Sequence, residues 1–215
     1  MNNYRTNPKI LNLCLLASLL LTVLFSSCRK GENDSFITLR SRKARLCGDW
    51  VVTKKTSTLL VYQIINGVET LISTDSKIYD GSTETLSSLS NSPNATPNVS
   101  ISNYIEKYSF KKDGTFTYIT GSESEPQTHT GVWAFSNKNE SQEIKNKEGI
   151  ILQWRGYSMT SNNVTYNSTQ TGGNQNMFFY IDQLKNKEIV LINKVKLDDT
   201  FGKIDYENYI TLTVK

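Results

Sequence analysis

From residue 48 onward the apolar positions recur at period two, the signature of half-buried β-strands, and no long run follows the helical period. Val51-Val52 leads a first strand, and residues 58–65, TLLVYQII, form a second β-rich run. That run ends at Asn66-Gly67, and 68–73, VETLIS, follows at once. Two β runs separated by Asn-Gly predict a hairpin, because a two-residue turn of this kind needs positive φ at both centres. Residues 104–112, then Asp113-Gly114, then 115–120 predict another. Further strands are expected at 131–135 and 150–155, a third hairpin at 177–184 and 188–195, and a last strand at 206–214. The fold class is therefore all-β. An antiparallel meander of about 8–10 strands has exposed edges unless it curls and closes, which predicts a β-barrel.

Two stretches break the alternation. Residues 81–100, GSTETLSSLSNSPNATPNVS, are rich in Ser, Thr, Asn and Pro, residues 156–176 hold Asn162, Asn163, Gly172, Gly173 and Asn174, and both read as long loops. Before the first strand, Thr38 can cap a short helix with Leu39 and Leu46 on one side. Its exposed face would carry Arg40, Arg42, Lys43 and Arg45, a cluster suited to acidic lipid headgroups or simply to water.

The N-terminus has a different organisation. Arg5 and Lys9 precede the apolar run ILNLCLLASLLLTVLF at 10–25, and Ser26, Ser27 and Cys28 follow. A basic segment, a short apolar segment and small residues make a secretory signal, and the run is shorter than the roughly 20 residues of a membrane-spanning helix. Small residues directly before a Cys resemble the lipobox of bacterial lipoproteins, and Phe25 with Leu24 resembles its looser form in Bacteroidetes. The resemblance implies that 1–27 is a lipoprotein signal peptide and that Cys28 is the site of lipid attachment and the new N-terminus. It also implies two or three acyl chains, enough for durable anchoring. Residues 28–37 would then be a lipid-anchored tether, and 38–215 the barrel domain.

Charge and cysteine content narrow the chemistry. Lys+Arg 24 against Asp+Glu 20 gives a net charge of +4, and loss of Arg5 and Lys9 with the signal leaves +2. No nucleic-acid partner is expected from so small an excess. With one His and three Cys, multi-histidine metal centres and a disulfide scaffold are not expected. Cys14 departs with the signal and Cys28 takes lipid, so Cys47 remains as a small buried hydrophobe.

Gly48-Asp49-Trp50 opens the first strand after a short helical turn, and Gly131-Val132-Trp133 repeats the pattern. With Tyr108-Ser109-Phe110-Lys111-Lys112-Asp113-Gly114-Thr115-Phe116 and Asn186-Lys187-Glu188-Ile189-Val190-Leu191, the ordered set resembles the lipocalin-like domain lipoproteins of Bacteroidetes. The resemblance spans residues 46–214 and implies a lipocalin-like barrel in which Gly48 admits the chain and Trp50 plugs the closed end. Lipocalins bring a late-strand Arg onto that Trp; here the late strands offer Lys194 and Lys196.

The expected role is that of a non-enzymatic, membrane-anchored lipoprotein of the cell envelope, in the outer membrane. Its barrel would bind a small apolar ligand, a glycan or another envelope protein. Tyr157 and Tyr166, in the 156–176 stretch, are candidate loop contacts, each offering a flat face and a polar handle. No catalytic residue, metal ligand or cofactor site is assigned. Asp198, Asp199, Asp205 and Glu207 fit no calcium-loop spacing. Two alternatives stand beside this reading: an envelope-side hydrolase acting on glycans or lipids, and a structural subunit of an envelope assembly. The hydrolase would need two carboxylates, or His129 with a nucleophile, converging in one cleft.

Overall fold

A computed structural model describes residues 41–90, 98–136, 148–161, 164–169, 176–198, 200 and 202–215. The signal, Cys28, the tether, Thr38, Leu39 and Arg40 lie outside the described residues, as does Asp199. The chain enters through a five-residue helix, α1 (Arg42–Leu46). Its cap is Ser41 rather than Thr38: the Ser41 side chain accepts from the Ala44 N–H at 3.1 Å. The basic face is not all solvated. Arg45 is buried and donates to the Leu184 carbonyl, and Arg42 is ion-paired with Glu148.

Among the described residues twelve strands follow: β1 (Gly48–Ile65), β2 (Val68–Tyr79), β3 (Glu84–Ser90), β4 (Val99–Ile101), β5 (Tyr104–Phe110) and β6 (Thr115–Ser122) come first. β7 (Pro126–Ser136), β8 (Gly149–Ser161), β9 (Val164–Thr169), β10 (Asn176–Leu184), β11 (Glu188–Asp198) and β12 (Gly202–Val214) complete the set. Eight of them, in the order β1-β5-β6-β7-β8-β10-β11-β12 and back to β1, close an antiparallel barrel. The all-β closed barrel agrees with the alternation. The eight barrel strands follow one another in chain order, as a meander does, while β2, β3 and β4 branch off between β1 and β5 and β9 pairs only with β8.

The branch arises on β1, which runs 18 residues without a break. One edge pairs with β12, from Trp50 opposite Val214 to Gln63 opposite Gly202. On the other edge β5 pairs only with Gly48, Asp49, Trp50 and Val51, and β2 takes over from Lys55. A bulge between Val52 and Lys54 sits at the fork, where an extra residue bends a strand and lets pairing change. β2, β3 and β4 thus form a side sheet that extends one wall of the barrel beyond its mouth.

Both expected loops are corrected in part. The 81–100 stretch holds β3 and β4, and the 156–176 stretch holds the end of β8 and all of β9. The Asn66-Gly67 turn has φ of 52° and 78°, as its sequence demands. The Asp113-Gly114 turn is longer than two residues. The Gly114 N–H donates to the Lys111 carbonyl, the Lys111 N–H donates to the Thr115 carbonyl, and only Gly114 takes positive φ. Asp113 Oδ1 accepts from the Thr115 N–H and hydroxyl at 2.9 and 2.7 Å, fixing that turn.

The barrel is filled with side chains at the α1 end. Trp50, Val52, Phe110, Phe116, Leu152 and Leu212 are buried there together. Both Gly-x-Trp tryptophans bury their indoles and find a backbone acceptor: Trp50 Nε1 donates to the Leu46 carbonyl at 2.8 Å, and Trp133 Nε1 to the Lys111 carbonyl at 3.0 Å.

Candidate functional site

Cross-strand partners share a face of a sheet, so the register defines what lines the barrel's open end. On the inward face Ile210, Lys55, Tyr79 and Glu84 form one row across β12, β1, β2 and β3. Asn208, Ser57, Lys77 and Leu86 form the next, and Tyr206, Leu59, Asp75 and Ser88 the one beyond. The apolar core therefore changes along β1 and β12 into a polar floor and then into an open cleft of about 570 Å³. Lys55, Leu59, Asp75, Lys77, Leu86 and Tyr206 are among its lining residues. A volume of this size lies within the range of small-molecule sites.

Under the cleft sits a carboxylate that the sequence reading did not single out. Glu106 on β5 has no exposed surface. Its Oε1 accepts from Lys55 Nζ at 2.7 Å and from the Tyr118 hydroxyl at 2.8 Å. Its Oε2 is equally buried and has no hydrogen-bond partner among the described residues. Beside it Glu84, also buried, lies 3.1 Å from Lys77 Nζ, close enough for charge pairing, while its Oε1 has no aligned donor. Lys55 and Lys77 line the cleft and at the same time cover the two acids below it.

Tyrosines complete the floor. The Tyr79 hydroxyl donates to the Tyr104 carbonyl at 3.2 Å, and the Tyr104 hydroxyl lies 2.6 Å from Thr120 Oγ1. Burial pushes the Tyr104 phenol up to about 12 and raises Tyr79 and Tyr206 as well, with the Glu106 charge adding to each. Tyr108 and Tyr118, stacked with ring centres 4.5 Å apart, are raised well above the ordinary value, again chiefly by burial. These phenols stay neutral through the physiological range and act as donors and acceptors.

His129 is not an exposed loop residue. Its ring stands among Trp154, Tyr157 and Tyr118, with centroids at 4.6, 4.9 and 5.7 Å, and burial lowers its pKa. Tyr157 is therefore a half-buried residue of β8, packed on His129, and not a loop contact. Tyr166 is exposed but belongs to β9, whose residues are all exposed. Gly48 has φ of +155°, and Trp50 is buried in the core directly above Leu46.

Lys194 does not reach Trp50. It pairs with Glu207 at 2.8 Å and lies over the Tyr209 ring. Asp205 is 3.1 Å from Lys203. Among the described residues no group of three metal-ligating side chains gathers. Cys47 is free and half-buried against the core, and burial raises its thiol pKa.

Sequence reasoning missed Lys55, Glu106, Lys77 and Glu84 because each reads as a surface charge. One signal was available: Glu106 has the same parity as Tyr104, Tyr108 and Phe110, so strand alternation places it inward. No protein-family model matches the chain, and no curated protein sequence matches it.

Proposed function

We propose that the protein is a membrane-anchored lipoprotein of a bacterial cell envelope, placed in the outer membrane through lipid on Cys28. Its barrel is a non-enzymatic binding module that takes a small ligand in the cleft at its mouth. The observation that supports this most is the division of one interior: side chains fill the end under Trp50, while the other end opens into a cleft of about 570 Å³. A purely structural subunit has no need of polar groups buried beneath an open cleft, since each costs free energy unless it is satisfied. The plug role of Gly48 and Trp50 belongs to the same proposal. Trp50 closes the filled end, and α1 lies over it through the Leu46 carbonyl.

The anchoring part is tested with labelled palmitate in a bacterial host. Label on the wild type and none on Cys28→Ser supports it; equal labelling overturns it. The binding part is tested by NMR titration of the protein with short-chain amphiphiles. Shifts confined to Leu59, Asp75, Leu86, Val99 and Tyr206 support the cleft, and shifts elsewhere or none overturn it.

A further inference from the structure

We infer that the cleft selects a ligand carrying a primary ammonium group on a short apolar chain, an inference that rests on the cleft being the ligand site. Two buried polar atoms below the cleft have no partner among the described residues, Glu106 Oε2 and Asn208 Oδ1, and Glu84 Oε1 has only the Lys77 ammonium, 3.1 Å away and not aligned for a hydrogen bond. All three are acceptors. Asn208 is the cross-strand partner of Ser57, and Ser57 lines the cleft. A primary ammonium is the compact group that brings three donors and no acceptor.

Charge points the same way. The acids of the cleft and its floor are Asp75, Glu84 and Glu106, and the bases are Lys55 and Lys77, an excess of one negative charge. Lys55 already holds Glu106, so an incoming carboxylate or phosphate would meet committed ammoniums and the Asp75 carboxylate. An ammonium ligand instead completes the balance. Leu59, Leu86 and Val99 supply apolar wall for a chain, and Tyr206 adds a ring face that attracts a cation. Glu106 Oε2 is buried beside Lys55, whose side chain is 12% exposed, so the inference requires the Lys55 stem to move aside as the ligand seats while keeping its bond to Oε1.

The test is calorimetric titration of the purified full-length protein with n-hexylammonium, n-hexyltrimethylammonium and hexanoate. The first two share charge and chain, but only the first can donate. Loss of a charge-assisted hydrogen bond predicts that n-hexylammonium binds about tenfold or more tightly than the trimethyl compound, and hexanoate most weakly. Equal binding of the two cations, or preference for hexanoate, overturns the ammonium inference and leaves the cleft standing. Absence of binding by all three overturns both.

A second measurement uses Lys55→Ala, which opens a path to Glu106. n-Propylammonium, matching the lost stem, should raise the Tm of that variant, and n-propyltrimethylammonium should not. Equal effects of the two on Tm overturn the inference. Should Lys55→Ala fail to fold, the wild-type titration decides alone.

Discussion

A methyl group added at Gly131 would sit 2.1 Å from the Gln153 carbonyl oxygen and 2.7 Å from the Phe116 ring. Gly131 is thus required by close approach of β7 to β8, which explains the second Gly-x-Trp pattern better than turn chemistry does. Gly131→Ala should lower stability by about 3 kcal/mol, the upper end for overpacking a core. Gly67 has φ of +78° and nothing within 4 Å of an added methyl. Gly67→Ala should cost only about 1 kcal/mol for its left-handed backbone. Urea denaturation checks both, and equal costs would contradict the assignment.

His129 makes a second residue-scale prediction. Because burial lowers its folded pKa, the unfolded state binds more protons just below the unfolded value of about 6.5. Stability therefore falls as pH drops through about 6.5 toward the folded pKa, and the loss is complete below it. The chain has one histidine, so its ring-proton NMR titration is unambiguous. The midpoint should lie below 6.5, and His129→Phe should flatten the stability profile in that window. A midpoint at or above 6.5 would contradict the burial.

At the scale of elements, α1 and β1 act as one unit through the Trp50 indole. Trp50→Phe strips the Leu46 carbonyl of its donor and should cost about 2 kcal/mol. Hydrogen exchange should speed at the Arg45 and Cys47 amides, which close α1 on Ser41 and Lys43. Unchanged exchange would separate the helix from the plug.

The same elements show what the sequence makes legible. Alternation appears where one face is buried in an apolar core, and there the hairpins at Asn66-Gly67 and Lys185-Asn186-Lys187 read correctly. β9 buries neither face, and β3 carries only Leu86 and Leu89 among Ser, Thr and Glu, so neither shows an apolar period and both read as loop. β1 reads as two strands because Thr53, Lys54 and Lys55 fall at its bulge and fork, where the period slips by one. Glu106 escaped notice because a lone Glu in a strand usually faces water, and only the placement of Lys55 and Tyr118 shows its partners. Pairing between distant strands carries that information, and no local pattern encodes it.

Across the whole molecule the barrel divides into a filled end and an open one. The filled end carries the stability: Trp50, Trp133, Phe110 and their neighbours pack under α1. Toward the open end, Glu106 and Asn208 carry hydrogen-bonding capacity unmet among the described residues, near a cleft walled by the side sheet of β2 and β3. Under the proposed function, stability and recognition are separated along one axis, and substitutions in the cleft should change binding while the core stays intact.

The central claim is that this cleft holds a ligand. Its most direct test is native mass spectrometry of the full-length protein released gently from membranes of its own host, wild type beside Leu86→Trp. The account predicts a small co-purifying mass on the wild type that is lost when the tryptophan fills the cleft. A wild type that carries no added mass, or an adduct retained equally by Leu86→Trp, would contradict it.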